Sequence, residues 1–574
     1  MACAAFFLTS VKGDDHLKNR KTYPSFYGDS DKTMVKSVRM IDNPFIEEEQ
    51  SMEKNRKLPI GIQNFEKIRT NGYLYVDKTS YVYDLVHSGI PYFLSRPRRF
   101  GKSLLLSTLK AYWEGKKELF AGLAIESLEK ENSDAWQAWP VFYFDFNRSG
   151  YETIHSLEDI LDVHLREWES IYHCTDQALP LPVRFQNLLV EAHKQTGKEC
   201  VVLIDEYDKP LLGALSDAEI EEYNKAVFKG FFGTLKSYDQ HIKFVFVTGI
   251  TKFSKISIFS DLNQLQDISL TKKYANICGI TDLEITDYLS PEVKEMADAI
   301  HLSLEDCKNK LKQQYDGYRF YPDTEGVYNP FSLLNALSQQ EFAPFWYETG
   351  TPSFLIARIR ETGYDAKIFT TNQLYADRFA LSDFRIDNPD PVPLLYQAGY
   401  LTIKGYLPEI ESYILGYPNE EVKYGFLRSL APVYMYDESN AALQAKMFAK
   451  DIQNADIESL RNRFTQLFAR LPYGKGENYE ERDFQNVIYI VFLLLGEYVH
   501  TEVHIATGRA DCMVETKDYI YLFEFKRDKS AKEALSQIEE KKYFQYYAAD
   551  TRKMFRIGVN FDSGERNISE WVVQ

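Results

Sequence analysis

The chain has 574 residues, 44% of them apolar and 26% charged, with a formal net charge of −17. That length exceeds one hydrophobic core and predicts about two to four domains; the 40 Tyr and 38 Phe exclude a largely disordered chain, and the acidic excess excludes a nonspecific coat on nucleic acid while leaving a local basic patch open. The cysteines Cys3, Cys174, Cys200, Cys278, Cys307 and Cys512 are scattered without metal-ligand spacing, which argues against a zinc site or a disulfide framework and fits a reducing cytoplasm.

Residues 1–57 are expected to be a disordered extension, because "GDDHLKNRK" and "YGDSDKT" carry neither helical nor strand periodicity. The opening "MACAAFFLTS" lacks the positive flank and the length of a signal peptide. Ordered-looking sequence begins with "MEKNRKLPIGIQNFEKI", so Met52 is an alternative start to Met1. From 58 to about 285, short apolar runs alternate with helical stretches, the pattern of a parallel sheet covered on both faces. The predicted strands are 91–95, 141–146, 200–205, 243–248 and 267–270, with helices over 102–114, 154–171, 183–196 and 217–237. Residues 286–470 read as a helical lid, a small mixed module around "GYLTIKGYL" and "SYILGYP", and a charged helical connector ending at the turn "PYGKGEN". Residues 471–574 form a second α/β unit: a helix (477–495), about three strands, a helix (530–549) and a last strand "FRIGVNF". The run "VIYIVFLLLG" is about half the roughly 20 residues a membrane helix needs and reads as buried, so no membrane partner is expected. The fold class is therefore α/β.

Within "LSRPRRFGKSLL", Gly101, Lys102 and Ser103 supply the essential end of a phosphate-binding loop. Successive backbone N–H groups and a helix N-terminus converge on an anion, Lys reaches the terminal phosphates, and the Ser hydroxyl ligates Mg²⁺. Arg96 stands where the usual pattern has its first glycine, an entry-turn residue whose loss leaves the chemistry in place. The run "VVLIDEYD" ends in Asp205, suited to Mg²⁺, and Glu206, suited to activating water. In "FVFVTGITKFS", Thr248 ends the next strand, where it can sense the γ-phosphate or orient the water. The strand 141–146, lying between the motif strands in the chain, implies that another strand separates them in the sheet. Arg98, Arg99, Phe100, Gly101, Lys102, Ser103, Leu104 and Asp205 are thus candidate cofactor-binding positions for ATP and Mg²⁺. The positive charges of Arg96, Arg98 and Arg99 are open to three readings: they hold triphosphate, bind an acidic neighbour, or form a solvated basic turn.

In "GRADCMVETKDYIYLFEFKRD", strand alternation places Leu522, Glu524 and Lys526 on one face and Tyr521, Phe523 and Phe525 on the other. Buried charges need partners, and Asp511, each other, or a metal can provide them. Asp511 and Glu524 suit one or two Mg²⁺ in phosphodiester cleavage, with Lys526 positioning the nucleophile. The spacing equally permits a structural ion pair on an edge strand. Lys526, Arg527, Lys529 and Lys532 form a basic strip, interrupted by Asp528.

The stretches "LPIGIQNFEKIRTNGYLYVDKT", "RPRRFGKSLL", "LIDEYDKP", "TGITKFS", "YDGYRF", "VYNPFSLLNAL" and "ETGTPSFL" together resemble the bacterial AAA-ATPase-like family that carries a C-terminal PD-(D/E)XK nuclease-superfamily domain. The resemblance implies a P-loop NTPase sheet followed by a restriction-endonuclease-like α/β domain, and makes Arg96 a family trait. It also points to Glu481 as a further acidic contributor, and the stretch with Gln537, Lys541 and Tyr543 resembles the Q-and-Y helix of many such nucleases. The expected function is an ATPase coupled to a Mg²⁺-dependent nuclease-fold domain acting on DNA or RNA, in a chain open to homo-oligomer formation. The alternative is an ATP-gated switch whose nuclease fold binds nucleic acid or a partner without cleaving.

Overall fold

The computed structural model describes residues 56–574, apart from 149, 152, 215–216, 253–264, 350–354, 357–358, 360–373, 383–389, 436–439, 471–480, 499–501, 505–510, 543–544 and 546. The expected extension therefore lies outside the described residues except for Arg56 and Lys57, and Lys57 forms a bridge with Tyr73.

The first sheet holds five parallel strands: β1 (Tyr92–Ser95), β2 (Val141–Asp145), β3 (Cys200–Asp205), β4 (Ile242–Gly249) and β5 (Gln266–Asp267). Their order is β2-β3-β4-β1-β5. Every residue of β3 is buried, as a continuous apolar run in a doubly covered sheet requires, whereas β2 alternates between buried and half-buried residues as an edge strand should. The strand separating the two motif strands β1 and β3 is β4, and the expected separator at 141–146 lies at the edge. Both motif strands thus end on the same rim, where ligands bind in open α/β sheets.

The helix Lys102–Trp113 follows β1, and Gly101 at its N-cap adopts φ 95°, a left-handed conformation that glycine takes without steric cost. Downstream, a Thr281/Glu284 capping box starts the helix Asp282–Tyr288. Asn329 accepts from the amides of Phe331 and Ser332 to start Pro330–Gln339. A three-stranded antiparallel sheet, β6 (Leu374–Asp377), β8 (Ser412–Gly416) and β7 (Thr402–Leu407), follows in that spatial order; β6 is an addition to the predicted pieces.

The C-terminal sheet runs β13-β12-β11-β10-β9, from β9 (Glu502–His504), β10 (Cys512–Glu515), β11 (Tyr519–Arg527), β12 (Lys553–Asp562) and β13 (Asn567–Val573). β11 and β12 are parallel and the other pairs antiparallel, with the helix Ala531–Glu540 as crossover. β11 is thus central, not the edge strand of the ion-pair reading, and β13 follows the strand expected to be last. Leu522 packs with Ile538 on the crossover side, while the Phe523 ring lies 4.9 Å from Phe492 of the helix Glu481–Tyr498 on the other, so the predicted division of faces holds. Among the described residues, no helix is long and apolar enough to cross a membrane.

Candidate functional sites

The phosphate loop, 96–101, joins β1 to its helix beside a cleft of about 660 Å³ lined by Arg99, Gly101, Lys102, Ser103, Leu104 and Glu206. Lys102 is buried, and its Nζ donates to the carbonyls of Arg96 (2.9 Å) and Pro97 (3.1 Å), so the ammonium lies folded across its own loop. Ser103 lines the cleft with no hydrogen bond to its hydroxyl among the described residues. The cleft continues past Pro59, Gly101, Leu104, Pro330 and Leu334 into a mostly apolar slot of about 620 Å³ lined by Ile68, Leu74, Phe100 and residues 277–280. One end is cationic and hydroxylic and the other apolar, the division of a nucleoside triphosphate. The contribution of "LPIGIQ" to the cleft, through Pro59, Gly61, Ile62 and Gln63, has no signature in the sequence, because an apolar segment far from the loop carries no phosphate chemistry of its own.

Asp205 is buried at the end of β3, where Oδ1 accepts from Thr248 Oγ1 at 2.7 Å and Oδ2 from the Tyr143 hydroxyl at 3.1 Å. Burial, and then the Asp205 charge, push the Tyr143 phenol up, so it stays a donor. These two donors fix the carboxylate plane while leaving lone pairs for a metal-bound water, and a carboxylate and a serine hydroxyl are both hard oxygen donors of the kind Mg²⁺ takes. Thr248 is fully buried and its hydroxyl is spent on Asp205. Glu206 takes φ 51°, lines the cleft, and has no side-chain hydrogen bond among the described residues. A left-handed non-glycine residue at the mouth of a site is where backbone strain is commonly kept.

A further acid in the same run, Asp208, was missed. Its Oδ2 accepts from the amides of Ile250 (2.9 Å) and Thr251 (2.6 Å) and from Thr251 Oγ1 (2.8 Å), pinning the end of β4 to the β3 loop. Gly249 permits this, since a Cβ there would lie 2.7 Å from Asp208 Oδ1. The signal was present as the third carboxylate of "LIDEYD".

The three loop arginines differ in exposure: Arg96 is buried, Arg98 half-buried and Arg99 exposed. Arg96 is 1% exposed; it donates to the carbonyls of Ser95, Ser269 and Tyr274, and its guanidinium lies 3.8 Å over Phe320. Burial pulls its pKa down. Arg98 lies 4.9 Å over Trp346, whose indole N–H donates to the Arg98 carbonyl at 3.1 Å. Arg99 lies 4.7 Å over Phe331. Phe100 is buried, its ring 4.7 Å from Tyr318. Each arginine thus rests on a different aromatic ring from beyond residue 310.

In the C-terminal sheet, Glu524 is 1% exposed, and its Oε1 accepts from Lys526 Nζ at 3.2 Å. The Asp511 amide donates to Glu524 Oε2 at 3.3 Å, and Asp511 Oδ2 accepts from the Phe525 amide at 2.9 Å. Burial first, then the charge of Asp511, push the Glu524 carboxyl up, while Lys526 opposes the shift. Two adjacent carboxylates, one of them buried, fit a divalent cation of the Mg²⁺ type. Among the described residues no group of three His, Cys, Asp or Glu gathers. Glu481 begins the helix Glu481–Tyr498, but its side chain lies outside the described residues, as does Tyr543. Gln537 is half-buried on the crossover helix, which ends at Glu540, short of the expected 549, with Lys542 at φ 54°.

Strand order, phosphate loop and second carboxylate-bearing sheet define an α/β protein that joins a P-loop NTPase-type domain to a nuclease-type domain. Residues 59–259 match the family described as "Predicted AAA-ATPase", and residues 479–571 match the PD-(D/E)XK nuclease superfamily. A protein of Azotobacter chroococcum mcd 1, described as "Uncharacterized protein in vnfD 5'region", is 35% identical over 542 residues, covering 90% of this chain and 99% of the relative. The ORC2 protein of Aeropyrum pernix, solved as ADPNP-ADP complexes, is 10% identical with a TM-score of 0.23, covering 62% of this chain and 94% of that one. The chain belongs to the AAA-ATPase-like family whose members carry a C-terminal PD-(D/E)XK nuclease-superfamily domain.

Proposed function

We propose that this protein is a Mg²⁺-dependent ATPase, over residues 58–285, coupled through a lid and connector (286–470) to a metal-dependent nuclease domain (471–574) acting on nucleic acid. The observation that carries the reading is the shared cleft: Lys102, Ser103 and Glu206 line one cleft that runs on into an apolar slot. The base occupies the slot. Lys102 exchanges the Arg96 and Pro97 carbonyls for phosphate oxygens, Ser103 and Asp205 hold Mg²⁺, and Thr248 and Tyr143 position Asp205. The metal supplies charge neutralisation on the phosphates. Glu206 takes the proton of the attacking water. In the C-terminal domain Asp511 and Glu524 hold metal, Lys526 orients the nucleophile, and Glu481 and Gln537 complete the set.

Glu206→Gln is expected to keep ATP affinity and lose turnover by roughly 10²-fold or more, measured by phosphate release beside analogue binding; equal turnover overturns the assignment. Incubating the protein with Mn²⁺ and plasmid or RNA, with and without ATP, tests the second site and separates DNA from RNA. Cleavage that Asp511→Ala abolishes supports it. Binding without cleavage, unchanged in Asp511→Ala, leaves an ATP-gated binding switch instead.

A further inference from the structure

Hydrolysis of ATP needs positive charge on the γ-phosphoryl as its bond to the leaving oxygen lengthens, and many NTPases borrow that charge from an arginine of another subunit. Resting on the reading of the cleft as an ATP-hydrolysing site, we propose that this protein supplies it from its own phosphate loop, through Arg99. Of the three loop arginines, Arg96 is sealed among carbonyls and Phe320, and Arg98 is stacked on Trp346. Arg99 is exposed and lines the cleft with Lys102, Ser103 and Glu206. Its backbone is held at φ 66°, an uncommon conformation for a branched-off long side chain. Beneath its guanidinium, at 4.7 Å, lies the ring of Phe331, which stands just inside the helix started by Asn329. A cation stacked on a ring anchored at a capped helix start is pre-organised, which is what charge stabilisation in a transition state requires.

In the step itself, the water oxygen bonds to the γ-phosphorus and the bond from that phosphorus to the β–γ bridging oxygen breaks. The electron pair stays with ADP, the proton passes to Glu206, and Arg99 neutralises charge on the transferring group. Phe331 is a positioning residue. Fork geometry matters, so lysine replaces arginine only in part.

The test compares wild type, Arg99→Ala, Arg99→Lys and Phe331→Leu in the full chain. It measures steady-state turnover, affinity for a non-hydrolysable ATP analogue, and retention of ADP with aluminium fluoride. Arg99→Ala is expected to lose about 10³-fold in turnover, change analogue affinity less than about threefold, and fail to retain ADP–aluminium fluoride. Arg99→Lys recovers part of the rate, and Phe331→Leu, with the guanidinium intact, loses rate but not analogue affinity. Turnover per molecule stays independent of protein concentration, and mixing Arg99→Ala with Lys102→Ala restores nothing. Unchanged turnover in Arg99→Ala, a parallel loss of analogue affinity, or rescue on mixing overturns the proposal. A wild type that binds ATP without turnover sinks the hydrolysis reading and this one together; a wild type that turns over and an equally active Arg99→Ala sink this one alone.

Discussion

Glu421 shows what the interior asks of a single carboxyl. It is 4% exposed, accepts from Ser332 Oγ at 2.8 Å and from the Trp346 amide at 2.7 Å, and is still pushed up by burial to about 7. Between its ordinary 4.5 and about 7, the folded chain therefore keeps a proton that the unfolded chain releases. Stability falls as pH rises through that window and levels off above it, by on the order of 3 kcal/mol. Glu421→Gln is expected to flatten this slope in thermal unfolding measured from pH 4.5 to 8; an unchanged slope places the titration elsewhere. Asp208, pushed up to about 6 by burial, serves the β4 end, and Asp208→Ala strands the two amides and the hydroxyl it accepts from. A loss of roughly 3 kcal/mol in urea unfolding is expected. Gly101, Lys102 and Ser103 were legible in the sequence because the device needs them consecutive, and Asp205 and Glu206 because they end an apolar run. Tyr143 and Phe331 were not, since each matters through a partner that only folding brings near.

At the scale of elements, the central strands were legible as apolar runs, whereas β13, with its polar "NISEW", reads poorly as a strand because it lies on the sheet edge. The crossover helix Ala531–Glu540 owes its seat to Gly558 in β12, the register partner of Glu524. A Cβ at Gly558 would lie 2.1 Å from the Ala531 carbonyl oxygen and 3.0 Å from the Leu535 amide. Both are backbone and cannot turn aside, so Gly558→Ala lifts the helix from the strand that carries Glu524 and Lys526. A destabilisation of about 1–3 kcal/mol is expected from such overpacking, together with weaker Mn²⁺ binding measured calorimetrically, while ATP binding is spared. Unaltered Mn²⁺ binding would show that the helix does not set the carboxylate geometry.

Across the whole molecule, a continuous route runs from phosphate loop to nuclease helix. Trp346 donates to the Arg98 carbonyl through its indole and to Glu421 through its amide; Glu421 stands near the start of the helix Glu420–Met435. Tyr424 of that helix donates to the Gly496 carbonyl at 2.9 Å, on the helix that begins at Glu481. Spatial continuity is not coupling, and coupling has its own test. Trp346→Phe removes the bond to Arg98 with the ring retained, and is expected to uncouple cleavage from ATP while metal-dependent basal cleavage persists. The same ATP response in mutant and wild type would show that the route carries nothing. The stacking of Arg96, Arg98 and Arg99 on Phe320, Trp346 and Phe331 has a consequence for synthesis. The loop emerges from the ribosome long before its supports: the bond from Trp346 to Arg98 spans 248 residues. Nucleotide affinity should therefore arise late in translation, so that a nascent chain released at residue 285 fails to retain ATP and one released past 435 retains it.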